Sequence, residues 1–229
     1  MSDRGVKAVA ALGFLYVARR YYRNWGSTKE ECRAVLAGDE LVGAPAVQTT
    51  DGIWIDAPTE AVWPWLVQMG QDRGGLYSCE RFENLMGLHY RNADEIHDEW
   101  QHLEPGDVVR LAPRRWLGLP AGVVLEAVEV VPGRSIVLRS TPVREHWDAV
   151  WSFHLSPRLD DRSRLLIRSR TGLRHPGQVL AAEAAGPALA IVTRGMLLGI
   201  KRRAENVVQA EAAAAAAYAD AHRADPDRR

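Results

Sequence analysis

The feature that most constrains the fold of this chain is a change of apolar period near residue 178. Before it, strand-like runs follow one another from residue 108 to residue 171 with short turns between them, which predicts a meander of antiparallel strands. After it, apolar residues recur at steps of three and four, which predicts one long helix. The apolar stripe of this helix consists of Leu189, Val192, Met196, Ile200, Ala204 and Val207.

The alternation of apolar and polar residues sets the bounds of the predicted strands. Residues 56–58, which follow the first predicted strand, contain a carboxylate that can cap a helix and a proline that suits its first turn. We therefore expect a helix to begin here. We expect a further short helix around residues 81–86, a helical turn around 28–35, and a break or start of the long helix at 186–187. The predicted strands are 49–56, 108–111, 122–131, 135–141, 149–156 and 164–171.

One curved sheet that wraps around one long helix buries the apolar surfaces of both. We therefore predict an α+β helix-grip fold, with a curved antiparallel sheet of about six to seven strands around the C-terminal helix. Such a sheet leaves a cavity between its concave face and the helix. The predicted organisation is an N-terminal helix and connecting arm over residues 1–46, the main domain over 47–222, and a disordered tail over 223–229.

Charge and cysteine content exclude several classes of protein. The 29 basic and 29 acidic side chains cancel, so no basic excess is present to neutralise phosphates, and we expect no nucleic-acid binding. Two cysteines, Cys32 and Cys79, do not make a disulfide framework, which favours a reducing, cytoplasmic compartment.

The N-terminus carries an apolar run over residues 6–17 that basic residues flank. It is too short to span a membrane, and we expect a helix docked on the domain. An interfacial helix, with peripheral membrane contact through residues 5–23, is the alternative, and a signal or anchor is the third interpretation.

Motifs for metal, nucleotide or nucleophile chemistry are missing from the sequence. His97 and His102 are one residue too far apart for a same-face helical pair, and neither HExxH nor GxSxG occurs. The glycine pair at 74–75 lacks the lysine of a phosphate-binding loop. We therefore expect no metal and no cofactor.

The string RGGLYS at 73–78 is the first candidate for a ligand site. Its glycines permit close backbone approach to a ligand, and Tyr77 offers an aromatic ring with a hydroxyl group at its end. The alternative interpretation is a tight turn with Tyr77 in the core. Downstream carboxylates such as Glu83 would serve as an acid or a base if partly buried, or else cap helices and pair with arginines.

Aromatic side chains on predicted inward faces are the second candidate. Trp151 and Phe153 alternate in one strand and share a face that points at the cavity or the long helix, while core packing is the alternative. The candidate cavity residues from all these segments are Trp65, Met69, Arg73, Tyr77, Glu83, Asn84, Trp151, Phe153 and Met196.

The last predicted strand has an apolar and a basic face. With Leu165 and Ile167 inward, the arginines of the opposite face are expected in solvent. If the strand were inverted, Arg168 would be a plausible anchor for an anion.

Several strings between residues 24 and 205 resemble the START-like superfamily, also called SRPBCC or helix-grip proteins. The nearest likeness is to a bacterial, actinobacterial-type subgroup. Among the strings are WGST at 25–28, GDELV at 38–42, IDAP at 55–58, VWPWL at 62–66, QMG at 68–70, RGGLYS at 73–78, ENL at 83–85 and NAD at 92–94.

This superfamily includes plant hormone binders, lipid carriers and polyketide cyclases/dehydrases, which share a cavity and no catalytic set. The resemblance implies binding of a hydrophobic small molecule, such as a lipid, polyketide or isoprenoid, in an internal cavity. The alternative is a polyketide cyclase/dehydrase-like enzyme that uses one acid or base in the cavity, and a weaker alternative is a membrane-surface-associated protein. Neither a catalytic residue nor an oligomeric state follows from the sequence.

Overall fold

The computed structural model describes residues 23–140, 148–172 and 176–223. The predictions for the apolar run 6–17 and for most of the tail, from residue 224, lie outside the described residues. A six-stranded antiparallel sheet dominates the described part, with the strand order β1-β6-β5-β4-β3-β2. The strands are β1 (Val47–Ile55), β2 (Val108–Ala112), β3 (Val123–Val131), β4 (Ser135–Ser140), β5 (Asp148–Arg158) and β6 (Arg162–Gly172).

The sheet confirms the predicted meander, because each strand from β2 to β6 pairs antiparallel with the next one along the chain. Strand β1 joins at the edge, beside β6. Together with a long C-terminal helix, this arrangement confirms the predicted α+β helix-grip fold. The helices are α1 (Lys29–Arg33), α2 (Thr59–Val67), α3 (Glu80–Leu85) and α4 (Pro176–Arg223), with short 3-10 turns at Asp39–Val42, Asp98–Trp100 and Trp116–Gly118.

Helix α4 is 48 residues long and continues through Pro187, so the predicted break at 186–187 is wrong. The proline removes one backbone hydrogen bond, and the rest of the helix remains in place. The C-terminal part of the predicted stripe is confirmed, since Met196, Ile200 and Ala204 are fully buried where α4 packs on β1 and α2. Leu189, in contrast, is 61% exposed although it belongs to the same stripe.

The chain before β1 forms an arm that covers the free edge of that strand. The backbone N–H of Gly52 donates to the carbonyl of Trp25 at 2.9 Å, and the N–H of Thr50 donates to Asn24 Oδ1 at 2.7 Å. These contacts occupy donors that an edge strand would otherwise expose. The arm then crosses to the outer face of the sheet, where α1 begins with a capping box between Thr28 and Glu31.

The arm buries Arg164 and Arg168 of β6, so the expectation that the arginines of this face lie in solvent is wrong. Leu165 and Ile167 do face the core, as predicted, but Arg168 on the other face is only 1% exposed. Its guanidinium donates to Asp39 at 2.6 Å and to the carbonyls of Glu31, Cys32 and Ala34.

Arg164 is held in the same way, 2% exposed and paired with both carboxylate oxygens of Glu31 at 2.8 and 2.7 Å. Residues 26–43 of the arm thus supply acceptors that stabilise a basic strand face inside the protein.

Candidate functional site

One half of the helix-facing side of the sheet is closed by α2 and α4. Ile55, Ile136 and Phe153 from the sheet and Met196 from α4 are all 0% exposed in this half. Most of the candidate residues lie here and contact protein on all sides, so any ligand at this place would have to displace them. These side chains and their exposed fractions are Trp65 2%, Met69 3%, Tyr77 2%, Glu83 0%, Phe153 0% and Met196 0%.

The RGGLYS loop packs its backbone directly on α4. A Cβ at Gly199 would overlap the carbonyl oxygen of Tyr77, and one at Gly195 would lie 2.9 Å from Cβ of Ser78. Two glycines one helical turn apart therefore form a notch that accepts the loop. The loop also places Tyr77 in the left-handed region at φ +59°, which turns the ring into the core.

Tyr77 belongs to a buried aromatic cluster with a cation above it. Its ring meets Trp65 edge-on at a centroid distance of 5.6 Å. The guanidinium of Arg203 lies 4.9 Å from the Tyr77 centroid and is paired with Asp94 at 2.7 Å. Burial raises the pKa of the Tyr77 hydroxyl, which therefore stays protonated at neutral pH.

Glu83 is a buried carboxyl next to this cluster. It shares a short hydrogen bond with the hydroxyl of Ser78, and its other oxygen, Oε2, has no partner. Burial raises the pKa of Glu83, and the hydrogen bond from Ser78 offsets part of that shift. With no exposed surface, Glu83 reaches no ligand in this conformation.

Arg73 and Asn84 have local structural roles. The Arg73 guanidinium donates to the carbonyls of Trp100 and His102 and so holds the loop before β2. The Asn84 side chain bonds both the N–H and the carbonyl of Tyr90, at 2.6 and 3.0 Å. The structure does not bring these two residues together with Trp151.

The other half of the helix-facing side is less completely buried among the described residues, and Trp151 lies there. Its neighbours on the side of β6 and β1 are half-buried, whereas Leu138, its partner on β4, is 1% exposed. We call this group the Trp151 patch; it consists of Val47, Thr49, Ala149, Trp151, Ser169 and Thr171. The members are adjacent in register, since Thr49 and Trp151 both pair with Ser169, and Val47 and Ala149 both pair with Thr171.

Helix α4 runs alongside β1 in the same direction. Near the end of β1, Lys201 Nζ donates to the Trp54 carbonyl at 2.8 Å, and Glu205 accepts from the N–H of Asp56 at 2.8 Å. Earlier residues of α4 therefore lie level with the start of β1, where the Trp151 patch is. Leu189 is one of them, on the helix face that buries Met196 further along.

Asp51 lies between the closed and the less buried half, and it was not among the sequence candidates. It is 4% exposed, and its Oδ1 accepts the backbone N–H of Trp25 at 2.8 Å. Burial raises the pKa of Asp51 to about 6, against the hydrogen bond from Trp25 and the positive charge of Arg194 on α4. The signal was present in the sequence, because Asp51 has the strand parity of the inward Ile53.

The described residues also include a cavity in the arm, and their possible metal ligands are dispersed. A cavity of about 280 Å³ lies in the arm, outside the sheet–helix interior, and is lined by Arg23, Asn24, Ser27, Thr28, Lys29, Cys32 and Arg33. Within the described ranges, no three histidine, cysteine or carboxylate side chains come together as a metal site would require.

A curved antiparallel sheet with a long C-terminal helix across it defines the class by fold: the chain has a helix-grip fold. The actinobacterial-type subgroup stays a prediction. No protein-family model and no curated protein matches the chain.

Solved structures resemble it in fold alone. A protein from Rhodobacter sphaeroides is 12% identical with a TM-score of 0.47, over 71% of this chain and 94% of that one. The di-domain ARO/CYC StfQ from the steffimycin biosynthetic pathway is 14% identical with a TM-score of 0.46, over 71% of this chain and 52% of that one. Norcoclaurine synthase from Thalictrum flavum is 13% identical with a TM-score of 0.42, over 74% of this chain and 92% of that one.

Proposed function

We propose that this protein binds a hydrophobic small molecule, of the lipid, polyketide or isoprenoid kind, between the Trp151 patch and the N-terminal half of α4. The observation that carries the proposal is incomplete burial of apolar side chains, on the sheet and on the side of α4 that buries Met196. Trp151 on the sheet is half-buried, and Leu189 on the facing side of α4 is 61% exposed. A hydrophobic molecule between them would bury both side chains, which is the main source of affinity in apolar sites.

The proposal is tested with the fluorescent apolar probe N-phenyl-1-naphthylamine. Leu189→Glu places a charge at the proposed site, and Leu198→Glu is the matched control, because Leu198 is 51% exposed on the same helix, about 180° away around its axis. We expect Leu189→Glu to weaken probe binding about tenfold, since it costs the burial of one leucine and introduces a charge. The control should stay within about twofold of the unmodified protein.

Equal effects of the two substitutions, or no binding of the probe to the unmodified protein, would contradict the proposal. Native mass spectrometry of the purified protein provides a second test, because a co-purified ligand adds a defined mass. The predicted cytoplasmic location is part of the same proposal and follows from cysteine usage.

The alternative function is a cyclase/dehydrase-like enzyme, and Asp51 is the observation that favours it. A carboxylate whose pKa is about 6 is suited to remove a proton next to a carbonyl at neutral pH. The test is incubation with a linear β-polyketone thioester, followed by mass spectrometry for the loss of water. Asp51→Asn should abolish that loss and leave probe binding in place.

The weaker alternative, association with a membrane surface, has one observation in its favour. The segment Ala182–Asp220 of α4 is long and apolar enough to cross a membrane by length and composition. An 18-residue stretch within it has a mean hydropathy of 1.2, and 28% of that stretch is buried. Core helices of soluble proteins meet the same criterion. Co-sedimentation of the full chain with phosphatidylglycerol vesicles separates the two interpretations.

A further inference from the structure

Large apolar side chains are left in solvent where the loop between β2 and β3 meets the end of α3. The indole N–H of Trp116, in the loop, donates to the carbonyl of Met86 at 2.8 Å and so joins the two segments. The next residues along each segment are exposed, Leu85 to 85% and Leu117 to 78%. We call this group the Leu117 patch; it consists of Leu85, Met86, Trp116, Leu117 and Leu119. Contiguous exposed apolar side chains of this kind are typical of interaction surfaces.

The backbone of the loop holds Leu117 in an unfavourable conformation. Leu117 has φ +47° and Arg115 has φ +67°, both in the left-handed region that residues with a Cβ rarely adopt. The turn is fixed by hydrogen bonds, since the N–H of Arg115 donates to the carbonyl of Leu119 at 2.8 Å and the N–H of Leu119 donates to the carbonyl of Trp116 at 2.9 Å. Because the Leu117 side chain is in solvent, burial within the protein does not compensate for this conformation. Contact with a partner outside the chain accounts for a leucine at this place.

The charges beside the patch have one sign. Residues 84–93 and 108–125, which contain the patch, include four arginines and no acidic residue. One of the four, Arg110, pairs with an aspartate outside these ranges. Arg114 and Arg115 at the tip of the loop are exposed and form no ion pair with another described residue. Their positive charges are therefore available to an anionic partner.

Helix α3 adds a third cation on the other side of the patch. Arg81 is exposed and precedes Leu85 by four residues, so the two side chains share one face of the helix. The acidic residues of α3 are engaged elsewhere: Glu80 accepts the backbone N–H of Asn92 at 2.5 Å, and Glu83 is fully buried. The apolar side chains thus have arginines on both flanks.

A membrane surface with anionic lipids suits this combination best. Side chains that stand clear of the protein can enter a fluid lipid layer, which needs no pocket of matching shape. Trp116 is half-buried with its N–H bonded, and tryptophan is enriched where membranes meet water. Arginines attract the phosphate groups of anionic lipids. A nucleic acid would meet the arginines and leave the leucines uncovered.

We propose that the Leu117 patch is a site of reversible contact with an anionic membrane, in which the leucines enter the boundary between headgroups and acyl chains and the arginines bind lipid phosphates. This surface is distinct from the apolar run 6–17 and from α4, the two segments considered above for membrane association. The proposal does not rest on the ligand site at the Trp151 patch.

The apolar part is tested by co-sedimentation of the full chain with vesicles of phosphatidylcholine and phosphatidylglycerol in equal parts. Leu117→Glu should weaken vesicle binding about tenfold, because it removes the burial of a leucine in lipid and adds a negative charge. The matched control is Leu159→Glu, since Leu159 is 86% exposed in the turn between β5 and β6, beside Asp160 with φ +60°. The control adds the same charge and should stay within about twofold of the unmodified protein.

The basic part is tested with the double variant Arg114→Gln, Arg115→Gln. We expect a loss of vesicle binding of about tenfold, because each arginine near an anionic surface contributes to the attraction. The control double variant Arg33→Gln, Arg134→Gln removes the same charge from exposed places in α1 and in the turn between β3 and β4, and should change binding by about twofold or less. All the substituted side chains are exposed, so we expect every variant to fold.

Several outcomes would overturn the proposal. Vesicle binding that both patch variants retain assigns the contact to another segment, such as residues 5–23. Equal losses in a patch variant and its control, or equal binding to vesicles of phosphatidylcholine alone, are also incompatible with it. No binding of the unmodified protein overturns it as well and points to a protein partner for the patch. Retained binding of N-phenyl-1-naphthylamine in Leu117→Glu would show that the loss of vesicle binding is independent of the proposed ligand site.

Discussion

At the scale of single residues, two titratable side chains with shifted pKa values, Asp51 and His154, lie on opposite faces of the sheet. Burial raises the pKa of Asp51 to about 6 on the inner face. Burial and the charge of Arg168 lower the pKa of His154 to about 4 on the outer face. Between about pH 4 and pH 6 their effects on stability oppose each other, since a rise in pH ionises Asp51 in the folded state and removes the proton that the unfolded state holds on His154.

Substitution of Asp51 by asparagine should change the pH dependence of stability. The folded-state pKa of about 6 exceeds the ordinary value of 3.8, so the contribution of Asp51 is present at low pH and is lost as pH rises through about 6. A shift of this size corresponds to up to about 3 kcal/mol. We expect Asp51→Asn to be more stable than the unmodified protein at pH 8, by urea unfolding, and to lack the decline in stability that the ionisation of Asp51 causes as pH rises through about 6. A less stable variant at pH 8 would contradict this account.

At the scale of elements, the arm is held to the outer face of the sheet by buried arginines. Arg168 connects β6 to Asp39 and to three backbone carbonyls of the arm. Removal of a buried charge from such a network leaves its partners without donors, which costs more than the loss of an exposed ion pair.

Replacement of Arg168 by methionine should therefore loosen the arm. We expect a loss of about 3 kcal/mol in the free energy of unfolding, together with faster amide exchange in α1 and in the turn at Asp39–Val42. The matched control is Arg162→Met in the same strand, because the Arg162 side chain is 46% exposed and its ion pair with Asp56 is on the surface. The control should change stability by less than about 1 kcal/mol. Equal losses in both variants would argue against a special role of the buried network.

The notch in α4 gives a second prediction at this scale. Gly199→Ala places a methyl group against the Tyr77 carbonyl, a backbone atom that cannot rotate away, and should destabilise the protein by about 2 kcal/mol or more. Gly177→Ala in the same helix meets nothing within 4 Å and should be neutral or slightly stabilising. Thermal unfolding of the two variants checks the difference, and similar melting temperatures would contradict the packing described here.

At the scale of the whole molecule, the positive and negative charges of the side chains balance. The 29 basic and 29 acidic side chains give no net charge, so we expect no retention of duplex DNA in a gel shift even at low salt, where phosphate binding is strongest. Retardation that weakens steeply with added salt would show a basic surface that the overall charge conceals.

Much of the fold follows from local patterns, and the site follows only in part. Alternation located the strands to within two residues and gave the inward face of β6, because Leu165 and Ile167 are apolar and the flanking Arg164 and Arg168 are not. The same alternation places Asp51 inward with Ile53, although it was not applied to that residue. The burial of Arg168 had no such signal, since the acceptors that make it stable come from chain more than a hundred residues away.

The sequence by itself determined the period of each element, and with it the antiparallel sheet, the long helix and the faces that are apolar. Only the tertiary structure decided which part of those faces is filled. Trp151 and Phe153 share one face of one strand, yet Phe153 is completely buried and Trp151 is half-buried, because α2 and α4 pack on the part of the sheet that contains Phe153. Where a helix comes to rest on a sheet depends on the packing of whole surfaces, which no local pattern records.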